Sequence, residues 1–299
     1  MKISFVIPKR NNAEYFENAI LSVCNQKLKP FEIIISENYS TDGSYESTIE
    51  LGKRLHIKVV IPDKPLSYGE NVAFALSNVS KEAEYICIGA SDDIWHPNFL
   101  NKLVKKISKN KKNITLIYSD YYLINEQDDE FGATGTFRKP LIISGENAFK
   151  FYLSGCSYII TGALFNASFL LKTDTIELIK NTANSADWML LLEAARSGTV
   201  IYYPYPLFYR RVHCESVTYS QNSVQLDGGH SNALFYYSIF LKEKNFYDFS
   251  KMVNDRINLT SNIKRIDSIG YINKYKSIQR KIQYYLVKTR IFFLFRQFV

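Results

Sequence analysis

The strongest constraint on this chain is the alternation of strand-like and helix-like stretches along its first hundred residues. Residues 3–7, 31–36, 58–61 and 85–89 are short apolar runs rich in β-branched side chains, each long enough for one buried strand. Between them, residues 14–26, 44–55 and 70–79 carry apolar side chains at helical spacing. In the first of these, Tyr15 or Phe16, Ala19, Ile20 and Val23 share one face. Pro8 is expected to stop the first strand, and Asn11 or Asn12 offers a cap for the helix after it. The alternation predicts an α/β fold with a mostly parallel sheet and flanking helices. Open sheets of that kind bind ligands outside the carboxyl ends of their strands.

Residues 85–95, YICIGASDDIW, place Ser91, Asp92 and Asp93 at that edge. Two adjacent carboxylates there suit a hard divalent cation held through oxygen. The competing reading is a solvated turn, with Ser91 or Asp92 capping the helix that Pro97 helps to start.

At 299 residues and 46% hydrophobic, the chain suits one large domain, alone or with an appendage. Its net charge of +8 is concentrated at one end. Residues 251–299 hold eleven basic residues against Asp255 and Asp267, which leaves the rest close to neutral. There Tyr271, Tyr275, Ile278, Ile282, Tyr285, Leu286 and Phe292 recur at helical spacing, flanked by Lys274, Lys281 and Lys288. A basic, aromatic helix suits a membrane surface. A helix packed on the main domain, or a dimer seam, is the alternative. No nucleic-acid motif accompanies the charge, so nucleic acid is not an expected partner. Cys24, Cys87, Cys156 and Cys214 show no CxxC spacing, which suits reduced thiols in a cytosol. Strand-like ISFVI begins at Ile3, so no signal peptide is expected. The apolar run at 291–295 is far too short for a bilayer span of about 20 residues. The expected location is the cytoplasm, with peripheral contact on the inner face of the membrane.

Four segments carry a family resemblance. ISFVIPKRNNAEYFENAILSVCNQ and FEIIISENYSTDGS resemble the first strand and helix, and the second strand and nucleotide loop, of family-2 glycosyltransferases of the GT-A fold. GENVAFALSNVSKEAEYICIGASDDIWHPNFLNKLV is similar to that family's helix, strand and metal loop. SADWMLLLEAARSG and YRRVHCESVT resemble its catalytic helix and closing Arg/His segment. The resemblance implies a Rossmann-like nucleotide-diphospho-sugar transferase domain over residues 1–220 and a helical extension over 221–299. It implies transfer of a sugar, with inversion, from a nucleotide-diphosphate donor to a hydroxyl. UDP-sugars come first among donors, ahead of GDP- and dTDP-sugars. A glycan or lipid-linked saccharide of cell-surface polysaccharide synthesis is the implied acceptor; oligomerisation stays open. The alternative is a non-catalytic nucleotide-binding or scaffold protein on the same fold, favoured by Ala90, Glu37 and Glu70.

The family's Asp-x-Asp falls on Ala90-Ser91-Asp92, so its first carboxylate is missing. The resemblance assigns a divalent cation (Mn2+ or Mg2+) to Asp92, with Asp93 in support, and to His213 as a further ligand or a donor to the leaving phosphate. It assigns the donor to Pro8, Arg10, Asn11, Glu37, Asn71, Ser91, Asp93 and Arg211. Lys9 and Arg10 replace a small-then-aromatic pair and either touch phosphate or stay solvated. Glu37 stands where an Asp accepts a hydrogen bond from the base, the alternative being a loop residue facing water. Glu70 replaces an Arg, Arg210 stands in for a Tyr, and Asp42 is read as a helix cap. By the resemblance Asp187 is the expected general base, with helix-start capping as the alternative. It begins an amphipathic helix with Leu191, Leu192 and Ala195 on one face, where Trp188 would exclude water and raise its pKa. Gly162 and Trp188 fall on the acceptor side, and packing is the alternative for Gly162 and for Tyr158.

Overall fold

The computed structural model describes residues 1–213 apart from 111, 136–138, 154–159 and 182–185. The basic aromatic helix expected within residues 221–299, and Cys156, Tyr158 and Cys214, lie outside the described residues. The strands β1 (Ile3–Lys9), β2 (Glu32–Glu37), β3 (Lys58–Val60) and β4 (Tyr85–Ile88) run parallel in the order β3-β2-β1-β4. Helices α1 (Ala13–Cys24), α2 (Ser44–Leu55) and α3 (Tyr68–Ser77) link them. The sheet continues through β9 (Ala163–Asn166), β6 (Ile114–Ile124), β10 (Thr199–Arg211) and β5 (Ile94–Trp95). β9 is antiparallel to both its neighbours, while β10 runs parallel to β6 along the longest ladder. β7 (Glu130–Ala133) pairs with β6, and β8 (Leu141–Ile143) with β10. The mostly parallel α/β architecture is therefore present, with one strand reversed at its centre.

Strand periodicity divides the core into two layers. β1 sends Ile3, Phe5 and Ile7 toward α1 and α4 (Phe99–Ser108), and Val6 toward α3 and α8 (Ala186–Ser197). β4 repeats this, with Cys87 on the first side and Ile86 and Ile88 on the second. Helix α8 is not amphipathic as expected, because Trp188 through Ala195 are all buried. It is enclosed by α5 (Gly145–Leu153), α7 (Thr173–Asn181) and the sheet, and a helix enclosed all round is apolar all round.

Pro8 does not end β1. Val6 gives its carbonyl to Gly89 on the β4 side, and Lys9 gives its carbonyl to Asn38 on the β2 side. Pro8, two residues beyond Val6, therefore faces the β4 side with its missing N–H. The β4 ladder has already ended at Val6, so no ladder bond is lost and β1 runs on to Lys9. The helix after Pro97 is capped neither by Ser91 nor by Asp92; its first flanking residue is Asn98. Instead the 89–93 segment is anchored downstream by Trp95, whose Nε1 donates to the Thr161 carbonyl at 3.0 Å and whose ring meets Phe5 edge-on at 4.9 Å. Gly162 is a packing residue. A Cβ there would lie 2.0 Å from Phe208 Cε1, so only glycine lets β9 begin against that ring.

Candidate active site

At the ends of β1 and β2, Lys9 and Glu37 are partners in the parallel register, and both are 0% exposed. Lys9 Nζ donates to Glu37 Oε2 (2.8 Å), Ser40 Oγ (3.0 Å) and Ser44 Oγ (2.7 Å), which uses its three N–H groups. The Ser40 amide donates to Glu37 Oε1 at 2.8 Å. Glu37 therefore faces neither water nor a base, and Lys9 reaches no phosphate; each satisfies the other because an unpaired buried charge is costly. Arg10 is exposed. Asn11 and Asn12 adopt left-handed backbone (φ 65° and 68°), which asparagine tolerates. Asn12 does not cap α1; its Nδ2 donates to Ser91 Oγ at 2.7 Å.

Asp42 does the capping on both sides. Its Oδ2 accepts from the Ala13 amide (2.8 Å) at the start of α1, and its Oδ1 from the Ser44 amide (3.1 Å) at the start of α2. Burial works against its charge, but the Ser44 hydroxyl, these amides and Lys9 outweigh it and lower its pKa. Asn11 Oδ1 accepts from the Thr41 amide, and the Asn11 amide donates to Ser40 Oγ, so the loops after β1 and β2 form one unit. Asn71 is buried and its Oδ1 accepts from Ser36 Oγ at 2.6 Å. Glu70 makes a capping box with Ser67 that starts α3 two residues earlier than expected.

After β4, Asp92 and Asp93 diverge. Asp92 Oδ2 lies 2.9 Å from His213 Nε2. Asp93 is 3% exposed and accepts from the Arg211 amide at 3.0 Å. Burial, and then Asp92, push its pKa up to about 8, so Asp93 is turned into the protein rather than toward a cation. Arg211 is not placed to grip a donor either. Its Nε donates to the Asp92 carbonyl (3.0 Å), its Nη1 to the Asn125 carbonyl (2.8 Å), and its Nη2 pairs with Asp128. Its guanidinium also lies over the Tyr15 ring at 4.4 Å, and Tyr15 contacts the His213 ring at 5.0 Å.

Asp187, at the start of α8, is half-buried and accepts from the Trp188 amide at 2.7 Å. Burial raises its pKa to about 6, against the Trp188 amide and the charge of Arg210. The Trp188 indole is 1% exposed and donates to the Tyr152 carbonyl in the core. Tyr68, the first residue of α3, links the two halves of the cleft. It is 39% exposed as a whole, yet burial of its hydroxyl, and then Asp187 and Asp92, raise its pKa. Tyr68 thus feels both Asp92 and Asp187, Asp187 feels Arg210, and His213 lies against Asp92.

Two ligands bound at about 2.1 Å and at right angles sit about 3 Å apart, so the Asp92–His213 spacing fits one edge of an octahedral cation. No group of three His, Cys, Asp or Glu side chains suited to a metal occurs among the described residues. Phosphate oxygens and water would have to complete such a shell.

The family model described as Glycosyl transferase family 2 matches residues 4–171, more than half of the chain. An uncharacterized glycosyltransferase of Rickettsia felis is 25% identical over 201 residues, covering 64% of this chain and 32% of its own. Another, of Nostoc sp., is 32% identical over 108 residues, 35% of this chain and 32% of its own. Glycosyltransferase GlyA of Streptococcus pneumoniae is 27% identical over 130 residues, 44% of this chain and 18% of its own. The chain spans about a third or less of the length of these curated relatives. The crystal structure of S. aureus TarS 1–349 in complex with UDP-GlcNAc superposes with a TM-score of 0.61 at 14% identity, covering 79% of this chain and 66% of that one. At that identity the likeness shows the shared fold.

The Lys9–Glu37 pair yields a stability test. Lys9→Met strands a buried carboxylate and should cost about 3–5 kcal/mol in urea unfolding, whereas Lys9→Met with Glu37→Met should recover most of that loss. Equal stability of the single variant and the wild type would show that the pair does not hold the two loops.

Proposed function

This chain belongs to glycosyl transferase family 2, and from that premise we propose that it moves a sugar, with inversion, from a nucleoside-diphosphate donor to a hydroxyl. The reading is supported by Asp187, raised toward neutrality by burial, and by the Asp92–His213 pair, with Tyr68 feeling the charges of both Asp187 and Asp92. An inverting displacement needs a base on the acceptor side and charge compensation on the leaving-group side. Asp187 takes the acceptor hydroxyl's proton as that oxygen attacks the sugar's anomeric carbon and the bond to the diphosphate breaks. Asp92 and His213 hold the divalent cation, Mn2+ or Mg2+. That cation, when bound, offsets the charge that develops on the departing diphosphate. Asn71, Ser91 and the joined loops after β1 and β2 shape the donor side, with Pro8, Arg10 and Asn11 at its rim.

UDP-sugars are the first donors to test, since the TarS fold neighbour was solved with UDP-GlcNAc. A glycan or lipid-linked saccharide for the cell surface is the proposed acceptor. No helix among the described residues is long and apolar enough to cross a membrane. The charge of residues 251–299 supports contact with an anionic membrane surface instead. Ala90 and the sealed Glu37 favour a second reading, a nucleotide-binding protein without turnover.

Asp187→Asn should lower kcat by about 10²–10⁴-fold while nucleotide binding persists. In the wild type, kcat/KM should climb with pH through a value of about 6, because Asp187 is protonated below it and is then too weak a base to take the hydroxyl proton. Undiminished turnover by the variant would remove Asp187 as base; nucleotide binding with no turnover in either protein would favour the second reading. Full-length protein should pellet with anionic liposomes, and a truncation after Thr260 should not. Equal pelleting would exclude the tail as the membrane contact.

A further inference from the structure

Two carboxylates, Asp92 and Asp187, are proposed above to face the substrate, and an anionic substrate entering there needs a cation to meet it. The chain places two arginines side by side at the end of β10, and the structure gives them opposite employment. Arg211 has a side chain 1% exposed, with donors spent on the Asp92 and Asn125 carbonyls and on Asp128, and its face on Tyr15. Arg210 is half-buried, and its guanidinium makes no hydrogen bond or ion pair among the described residues. Its backbone is nevertheless held on both sides. Tyr209 pairs with Tyr122 on β6 and with Ile94 on β5, and its ring stacks on Tyr122 at 5.1 Å. On the other side the Arg211 amide is tied to Asp93.

Resting on the glycosyl-transfer reading above, we propose that Arg210 is the guanidinium that receives the anionic oxygens of the nucleoside-diphosphate donor, while Arg211 is the strut that fixes where Arg210 emerges. The planar fork of N–H groups of Arg210 matches phosphate oxygens in pairs, and a guanidinium without partners among the described residues has its donors available for them. The position also suits the acceptor side, for its charge opposes the burial that raises the pKa of Asp187 on α8. Tyr68 on α3, which feels both Asp187 and Asp92, carries no positive charge.

Calorimetric titration with UDP and with uridine, both with Mn2+, tests this. Arg210→Met should weaken UDP binding by about tenfold to a hundredfold and leave uridine binding nearly unchanged. Arg210→Lys should recover part of the loss. Arg211→Met should lower the unfolding midpoint, which Arg210→Met should not. Unchanged UDP affinity in Arg210→Met, or equal loss of UDP and uridine, would overturn the assignment alone. A wild-type protein that binds none of UDP, GDP and dTDP would overturn it together with the donor reading.

Discussion

The guanidinium of Arg211 is the joint on which the cleft depends. From one side chain it reaches the carbonyl of Asp92 after β4, the carbonyl of Asn125 and carboxylate of Asp128 between β6 and β7, and the ring of Tyr15 on α1. Its amide adds Asp93. Elements more than a hundred residues apart in sequence are thereby held at fixed spacing. His213, two residues on, is brought to 2.9 Å from Asp92 because Arg211 has already set the strand end. Bonds to a charged donor are roughly twice as strong as neutral ones, and here they are spent on position rather than on substrate.

A second buried ion pair does the corresponding work on the donor side. Lys9 and Glu37 end adjacent parallel strands, and their network with Ser40, Ser44, Asp42 and Asn11 welds the two loops together. Desolvation offsets much of the attraction in such a pair, so its contribution lies in fixing one loop arrangement more than in net stability. The cleft is thus framed by two internally satisfied cationic side chains, Lys9 and Arg211. Asp187, Asp92, Arg210 and Tyr68 are left to act on what enters.

Much of this was legible in the sequence where the signal is local. Helix α2 has the bounds its pattern implied, and the four leading strands lie where their apolar runs do. The motif order named Asp92, His213 and Asp187; of these the structure pairs Asp92 with His213, and Tyr68 feels the charges of both Asp92 and Asp187. What was not legible depends on pairing at a distance. The reversal of β9 between β4 and β6, the two-residue strand β5 and the enclosure of α8 follow from neighbours that no local pattern names. The run of β1 through Pro8 depended on where β4 stops. Lys9 and Glu37 did carry a signal, opposite charges at the same step of two adjacent parallel strands, which aligning the strand ends would have found. For the two arginines the family pattern named Arg211 as the donor's, whereas the fold spends Arg211 on protein partners; only the fold decides which of two neighbouring guanidiniums is used up.

The central claim is that one cleft holds a diphosphate between the Asp92–His213 pair and Arg210 with Asp187 across from it. A crystal structure of the full chain with UDP and Mn2+ measures this directly. The account predicts the cation on Asp92 and His213, the diphosphate within hydrogen-bond reach of Arg210, and open space between the terminal phosphate and Asp187. A nucleotide seated elsewhere on the sheet, or one whose diphosphate is walled off from Asp187, would contradict it.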